Sequence, residues 1–291
     1  MSEWDGRGLP PVAAARMARF QAGGVRTSLL SVPGATGVEA VGFTPVGEVM
    51  GCSVRHIGWS GAGCGMYVGL FGGSSAPTVT SGRRGGYGFA PYVDALYRGY
   101  DSALDRMVTE ARALGADGVV GVRLSAEHLD QGNREFVALG TAVRAPAARG
   151  RRPPWPFTTE LAGQDLAKLL LAGWAPATIA IGISVAIRHD DWTTRSQAGM
   201  FAGNTEVGGY SELVQAVRAD ARQRFGERVH RAGADGAIVS WMGMHIWSIE
   251  PSDNHRDHVA EAMVLGSTVA RFHRQAAAPT DALTILPLRR A

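Results

Sequence analysis

Residues 114–122 read LGADGVVGV, and residues 232–239 read AGADGAIV. Each copy follows a segment in which apolar residues recur every three or four positions, the period of a helix with one buried face. Gly115 and Gly233 fall where that helix ends, because glycine takes a left-handed conformation there without a Cβ clash. Asp117 and Asp235 are expected to accept hydrogen bonds from backbone in the turn, a structural role rather than a catalytic one. The β-branched residues that follow favour a strand, so the stretch predicts helix, turn and buried strand twice.

The similarity extends beyond the turn. Residues 27–54 align without a gap on residues 158–185 at an offset of 131, the turns align at 118, and the last strands at 126. A changing offset means loops of different length between shared elements, where length changes cost least. The pattern predicts an internal duplication in which each copy has a short helix, a strand, a long helix and two more strands. The predicted fold class is therefore α+β, with two tandem two-layer units, each a mainly antiparallel sheet with one long helix.

Five segments follow from this alignment. They are an N-terminal extension with one short helix (1–24), a first domain (25–145), a Pro- and Arg-rich linker (146–156), a second domain (157–273) and a C-terminal tail (274–291). The linker is stiff and suits neither a helix nor a strand.

Composition narrows the class of protein. The 291 residues are 45% hydrophobic and 19% charged, with a formal net charge of +3, as in a soluble globular protein. No basic stripe interleaved with aromatic residues is present, which disfavours nucleic-acid binding. Two cysteines and no signal-peptide pattern predict a cytoplasmic protein. The uncharged run 169–187 is long enough to cross a bilayer, but Gly173, Pro176 and Gly182 interrupt it, so we expect a short helix and a buried strand and no membrane span.

Each copy resembles the YbjQ-like family of small bacterial proteins, which are often labelled heavy-metal-binding. The resemblance rests on the threonines that open each copy, on Gly51 and Gly182, on the two turns, and on GTAV (140–143) and GSTV (266–269). It covers residues 25–145 and 157–273. It implies a dodecin-like two-layer fold and assembly into homo-oligomeric rings, pentamers in particular, in which strands are shared between subunits. The resemblance supplies no reaction, and the tandem arrangement departs from the single-domain pattern.

The candidate metal ligands are Cys52, His56 and Cys64. Cys52 and His56 are four residues apart and share one face of a strand, and Cys64 lies in the adjoining glycine-rich loop. Thiolate and imidazole suit zinc, but a buried cysteine is commonly a small hydrophobic residue, and the second copy lacks these ligands. His255 and His258, with Asp253 and Asp257 nearby, form a second candidate that we interpret as a solvated loop. We therefore predict no metal and no cofactor.

The loop 58–91 is rich in glycine, yet it also carries aromatic and aliphatic residues. Its glycines lack the motif of a phosphate-binding loop, and its apolar residues predict that part of it packs on another protein. No catalytic motif is present, so we predict that the protein is not an enzyme. Two classes of function remain: a ring-forming structural or interaction protein, and a metal- or small-ligand-binding module.

Overall fold

The computed structural model describes residues 4, 8–23, 27–58, 78–82, 89–130, 132–146, 155–252 and 255–272. The helices in these ranges are α1 (Pro11–Gln21), α2 (Val32–Ala40), α3 (Phe89–Ala113), α4 (Gly163–Leu171), α5 (Trp192–Gln197) and α6 (Gly208–Arg231). The strands are β1 (Thr44–His56), β2 (Val79–Thr80), β3 (Gly118–Asp130), β4 (Asn133–Arg144), β5 (Phe157–Thr158), β6 (Trp174–His189), β7 (Gly236–Ser252) and β8 (His255–Arg271).

The strands form two mainly antiparallel sheets. The first has the order β1-β4-β3-β5 and the second the order β2-β6-β8-β7. Only the β3–β5 pair is parallel among these neighbours. The α+β fold class is confirmed. The long strands of the two sheets follow matching orders, β1-β4-β3 and β6-β8-β7, as a duplication requires, while the domain boundaries stay a prediction.

The long helices approach their sheets through glycine. A Cβ on Gly51 of β1 would lie 2.0 Å from the backbone oxygen of Ala103 in α3. A Cβ on Gly182 of β6 would lie 2.2 Å from the backbone oxygen of Ala221 in α6. Real Cβ atoms do not come that close, so each helix backbone rests directly on its strand. The two glycines differ by the offset of 131 and the two alanines by the offset of 118 that the sequence alignment uses.

The repeated turn has the predicted left-handed glycines, with φ of +66° at Gly115 and +65° at Gly233. The two aspartates act differently from the expectation. Asp117 Oδ2 accepts a hydrogen bond from the Ala145 backbone N–H at 2.9 Å, and Asp235 Oδ2 accepts one from Arg271 at 2.8 Å. Both carboxylates therefore tie the turn to the end of the last strand of their half, because the turn and that strand end are neighbours in the sheet.

One core joins the two halves of the chain. Buried residues of α3, such as Leu96, belong to the same apolar cluster as Ile181 and Ile183 of β6. The alternate positions of β6, such as Ala180, belong to a second cluster with Val217 of α6. β6 is therefore buried on both faces, by α3 on one side and by α6 on the other. The short strands reinforce this joint, because β5 pairs with β3 and β2 pairs with β6.

The uncharged run 169–187 divides as predicted, since α4 ends at Leu171 and β6 begins at Trp174. Among the helices of the described ranges, none is both long and apolar enough to cross a membrane.

Candidate functional site

The outer edge of β6 is closed by the chain itself. Three backbone N–H groups along this edge donate to hydroxyl oxygens from elsewhere in the sequence: Ile179 to Thr158 at 3.2 Å, Ile183 to Tyr97 at 2.8 Å and Val185 to Ser81 at 3.0 Å. These hydroxyls take the positions that a neighbouring strand would otherwise occupy. This edge is therefore satisfied within one chain.

The edge of β1 is closed by α3 and α1. The Met50 backbone N–H donates to Glu110 Oε2 at 2.8 Å, and the carbonyl of Cys52 accepts a hydrogen bond from Arg106. Glu110 is fully buried and also binds Arg16 of α1. The N-terminal helix thus supplies the charge that compensates a buried carboxylate at this edge.

The edge of β7 carries exposed apolar side chains over a 17-residue strand. β7 is hydrogen-bonded to β8 on one side and is the last strand of its sheet. Its large exposed side chains are Val239 (51%), Trp241 (48%), Ile246 (41%) and Met242 (37%). We call these four residues the β7 surface. Trp241 lies opposite Leu265 on the α3 side, whereas Met242 and Ile246 lie opposite Val264 and Ala260 on the α6 side.

The part of β3 that extends beyond β5 is a strand edge of a different kind, because it carries charged side chains. Residues 123–130 continue β3 past β5 and read RLSAEHLD, with charged side chains at positions 123, 127 and 130. Charges are a usual device against pairing with another chain, and a long apolar edge invites it. The β7 surface is therefore the better candidate for contact with another protein.

A second apolar area lies on the first sheet, on the face away from α3. Met50 is 37% exposed and Val54 57% exposed. On β4, Leu139 pairs with Met50 and Val137 pairs with Cys52, which lies between Met50 and Val54, and both β4 side chains are half-buried. We call Met50, Val54, Val137 and Leu139 the β1 patch. Among the described residues, each of the two sheets thus presents an apolar surface.

A partly buried polar triad connects the two halves. The Tyr92 hydroxyl of α3 donates to Glu261 Oε2 of β8 at 2.6 Å and accepts from Arg134 Nη2 of β4 at 3.0 Å. Arg134 also lies 3.4 Å from Glu261. Burial raises the pKa of Tyr92, and the neighbouring Glu261 carboxylate raises it further, so the hydroxyl stays protonated as a donor. No sequence pattern predicts this contact, because its three residues lie far apart in the chain.

The structure places Cys52 and His56 on β1, as predicted, with Cys52 half-buried and His56 exposed. His56 Nδ1 lies 3.2 Å from Asn133 Oδ1 on β4. Cys64 lies outside the described residues, so the three-ligand site stays a prediction. Within the described part of the chain, no group of three or more His, Cys, Asp or Glu side chains is placed to hold a metal ion.

The second candidate divides between two His–Asp pairs at one end of the second sheet. His258 Nδ1 lies 2.8 Å from Asp190 Oδ1, and His189 Nδ1 lies 3.0 Å from the buried Asp257. Asp253 lies outside the described residues. The interpretation of 255–258 as a solvated loop is wrong, because these residues begin strand β8 and Asp257 is fully buried. The spacing singled out His258 and Asp257 but missed their partners, Asp190 and His189, which lie at and just after the end of β6. Of the loop 58–91, the structure describes 58, 78–82 and 89–91, so its role in binding a partner also stays a prediction.

The chain is similar to several known proteins. A family model described as "Putative heavy-metal-binding" (YbjQ_1) matches residues 78–146. The encapsulin nanocompartment protein Rv1762c of Mycobacterium tuberculosis is 32% identical over 277 residues, which cover 90% of this chain and 92% of that protein. This chain belongs to the same family as Rv1762c. The resemblance to YbjQ proteins is established for residues 78–146, and for 25–77 and 157–273 it remains a prediction.

Two further relatives match a shorter segment. A UPF0145 protein of Psychrobacter arcticus is 46% identical over 54 residues, 19% of this chain and 34% of that protein. A UPF0145 protein of Halobacterium salinarum, OE_4416R, is 48% identical over 52 residues, 18% of this chain and 50% of its own length. The similarity to Rv1762c spans both sheets, whereas each of these matches covers less than a fifth of the chain.

Proposed function

We propose that this protein is a non-enzymatic, cytoplasmic structural component that assembles with copies of itself, as part of an encapsulin nanocompartment. The observation that carries the proposal is the β7 surface, a long apolar strand edge that no other strand of the described ranges covers. The edges of β6 and β1, by contrast, are closed by side chains of the chain itself. The printed name of the family relative Rv1762c supports a compartment role. The occupant of the β7 surface is a second copy of this chain.

The proposed assembly is a closed ring, with five chains. In a ring, one surface of each copy meets a different surface of the next, whereas a two-fold dimer uses the same surface twice. The β7 surface and the β1 patch supply two such different surfaces, and their apolar side chains can be buried together.

Paired variants test this arrangement. Trp241→Asp/Ile246→Asp places a charge on each face of β7, and we expect it to reduce the mass measured by light scattering to that of one chain, 30.7 kDa. Leu171→Asp/Trp192→Asp is the matched control, because both residues are 81% exposed but lie on helices away from β7. If the control variant dissociates as readily as the β7 variant, a specific contact through the β7 surface is refuted.

A third variant separates the ring from a dimer. Met50→Asp/Val54→Asp changes only the β1 patch. If that patch meets the β7 surface of the next copy, this variant dissociates as well. If it leaves a two-chain species intact, the β7 surfaces pair with each other and the ring is wrong.

A metal-binding module is the second candidate function. The description of the matching family model and the placement of Cys52 and His56 on one strand favour it. Elemental analysis of purified protein is the test. About one equivalent of a transition metal per chain that disappears in Cys52→Ala, but not in a His128→Ala control on β3, would favour this function over the assembly.

A further inference from the structure

A polar cleft of about 450 Å³ lies between α3 and α6, the long helices of the two halves. Four arginines line it, against two carboxylates. The arginines are Arg98, Arg224, Arg228 and Arg231, and the carboxylates are Asp94 and Glu227. The lining carries two more arginines than carboxylates, and the carboxylates of Asp220 and Asp101, which pair with Arg224 and Arg228, are not part of it.

Two of the arginines are fixed in place. The guanidinium nitrogens of Arg228 lie 3.2 and 3.4 Å from the two carboxylate oxygens of Asp101, and the group stacks 4.1 Å above the ring centroid of Tyr97. Arg224 Nε lies 3.2 Å from Asp220 Oδ2. These contacts hold one wall of the cleft in a defined geometry, which reduces the entropy lost when a ligand binds.

The other two arginines of the lining have no such partners in the part of the chain that the structure describes. Arg98 and Arg231 are exposed, and within the described ranges neither has a carboxylate oxygen within ion-pair distance. Arg224, Arg228 and Arg231 are spaced four and three residues apart, so they share one face of α6, and Arg98 approaches from α3. Two guanidinium groups are therefore available to a ligand that enters between the helices.

From this arrangement we propose that the cleft binds a compact phosphate-type polyanion, with pyrophosphate the simplest example. The planar guanidinium group matches the oxygens of phosphate and can bind them in a bidentate way. Stacking of a nucleobase is disfavoured, because Arg228 covers the Tyr97 ring and the Tyr97 hydroxyl is already bound to the Ile183 backbone.

Isothermal titration of the full chain with sodium pyrophosphate, and separately with inorganic phosphate, tests the proposal. We expect saturable pyrophosphate binding with a Kd below about 1 mM, weakened by added salt because the contacts are charged. Arg98→Ala/Arg231→Ala should weaken it by about tenfold or more, since it removes two charge-assisted contacts. Arg218→Ala/Arg222→Ala is the control: it removes the same charge from exposed positions of α6 outside the cleft.

Either of two outcomes would overturn the proposal. One is the absence of saturable binding of either anion up to about 10 mM in low salt. The other is an equal loss of affinity in both double variants, which would mean a diffuse effect of net charge. The site does not depend on the proposed assembly, and neither double variant changes a residue of the β7 surface or the β1 patch.

Discussion

Removal of one buried hydroxyl, in Tyr92→Phe, is expected to loosen the joint between the two halves. Tyr92 is only 5% exposed, and its hydroxyl joins Glu261 and Arg134 at 2.6 and 3.0 Å. A hydrogen bond to a charged group contributes about 1.5–3 kcal/mol. The free energies of the two lost hydrogen bonds do not add fully, because Arg134 stays close enough to Glu261 to compensate its charge in part.

We therefore expect Tyr92→Phe to lower the free energy of unfolding by about 2–3 kcal/mol, and the melting temperature by about 4–10 °C. Urea titration followed by circular dichroism measures this, at one protein concentration because assembly contributes to stability. Tyr210→Phe is the matched control, since the half-buried Tyr210 makes one longer contact of 3.3 Å to Asp190. We expect it to cost less than about 1 kcal/mol. Equal effects of the two substitutions would refute the view that the triad holds the halves together.

Three further predictions concern the glycine contacts, a buried tyrosine and the effect of a chelator. Gly51→Ala and Gly182→Ala should each lower the free energy of unfolding by about 3 kcal/mol or more, because the new Cβ meets the backbone of a helix. Gly226→Ala should stabilise α6 slightly, because its Cβ meets nothing within 4 Å. Similar urea midpoints for all three variants would contradict the close approach of helix and strand. Burial, with a further contribution from Glu261, raises the pKa of Tyr100 to about 12. The unfolded chain therefore releases this proton first, and the free energy of unfolding should fall between about pH 10 and 12. Tyr100→Phe should show a shallower fall, and a pH profile equal to that of the wild type would contradict this prediction. Treatment with a chelator should leave the melting temperature nearly unchanged, and a drop of about 10 °C or more would show that a metal supports the fold.

Local chemistry made much of the fold predictable. Glycine at 115 and 233, with β-branched residues after it, specifies the end of a helix and the start of a strand over a few residues. The aligned glycines 51 and 182 also predicted matching roles, which the structure explains by the contact of each with a helix backbone. Such signals survive in a sequence because a single backbone requirement selects a single residue type.

Contacts between distant segments were not predictable in the same way. The last two strand segments, 236–249 and 259–273, carry more large apolar residues than one helix can cover, which indicates that the second face of their sheet is also covered. The sequence alone does not tell whether the first half or another chain covers that face. In the described part of the chain, α3 of the first half covers one face of β6, whereas large apolar side chains of β7 stay exposed. The Tyr92 triad, the His258–Asp190 pair and the arginine cleft each depend on how two helices or strands meet, and no short spacing encodes that.

Native mass spectrometry of the wild-type protein tests the proposed assembly most directly, because it counts the chains in each particle. The account predicts a closed species of about 154 kDa, five times the chain mass of 30.7 kDa, at micromolar concentration. A mass of 30.7 kDa that persists at the same concentration would contradict it.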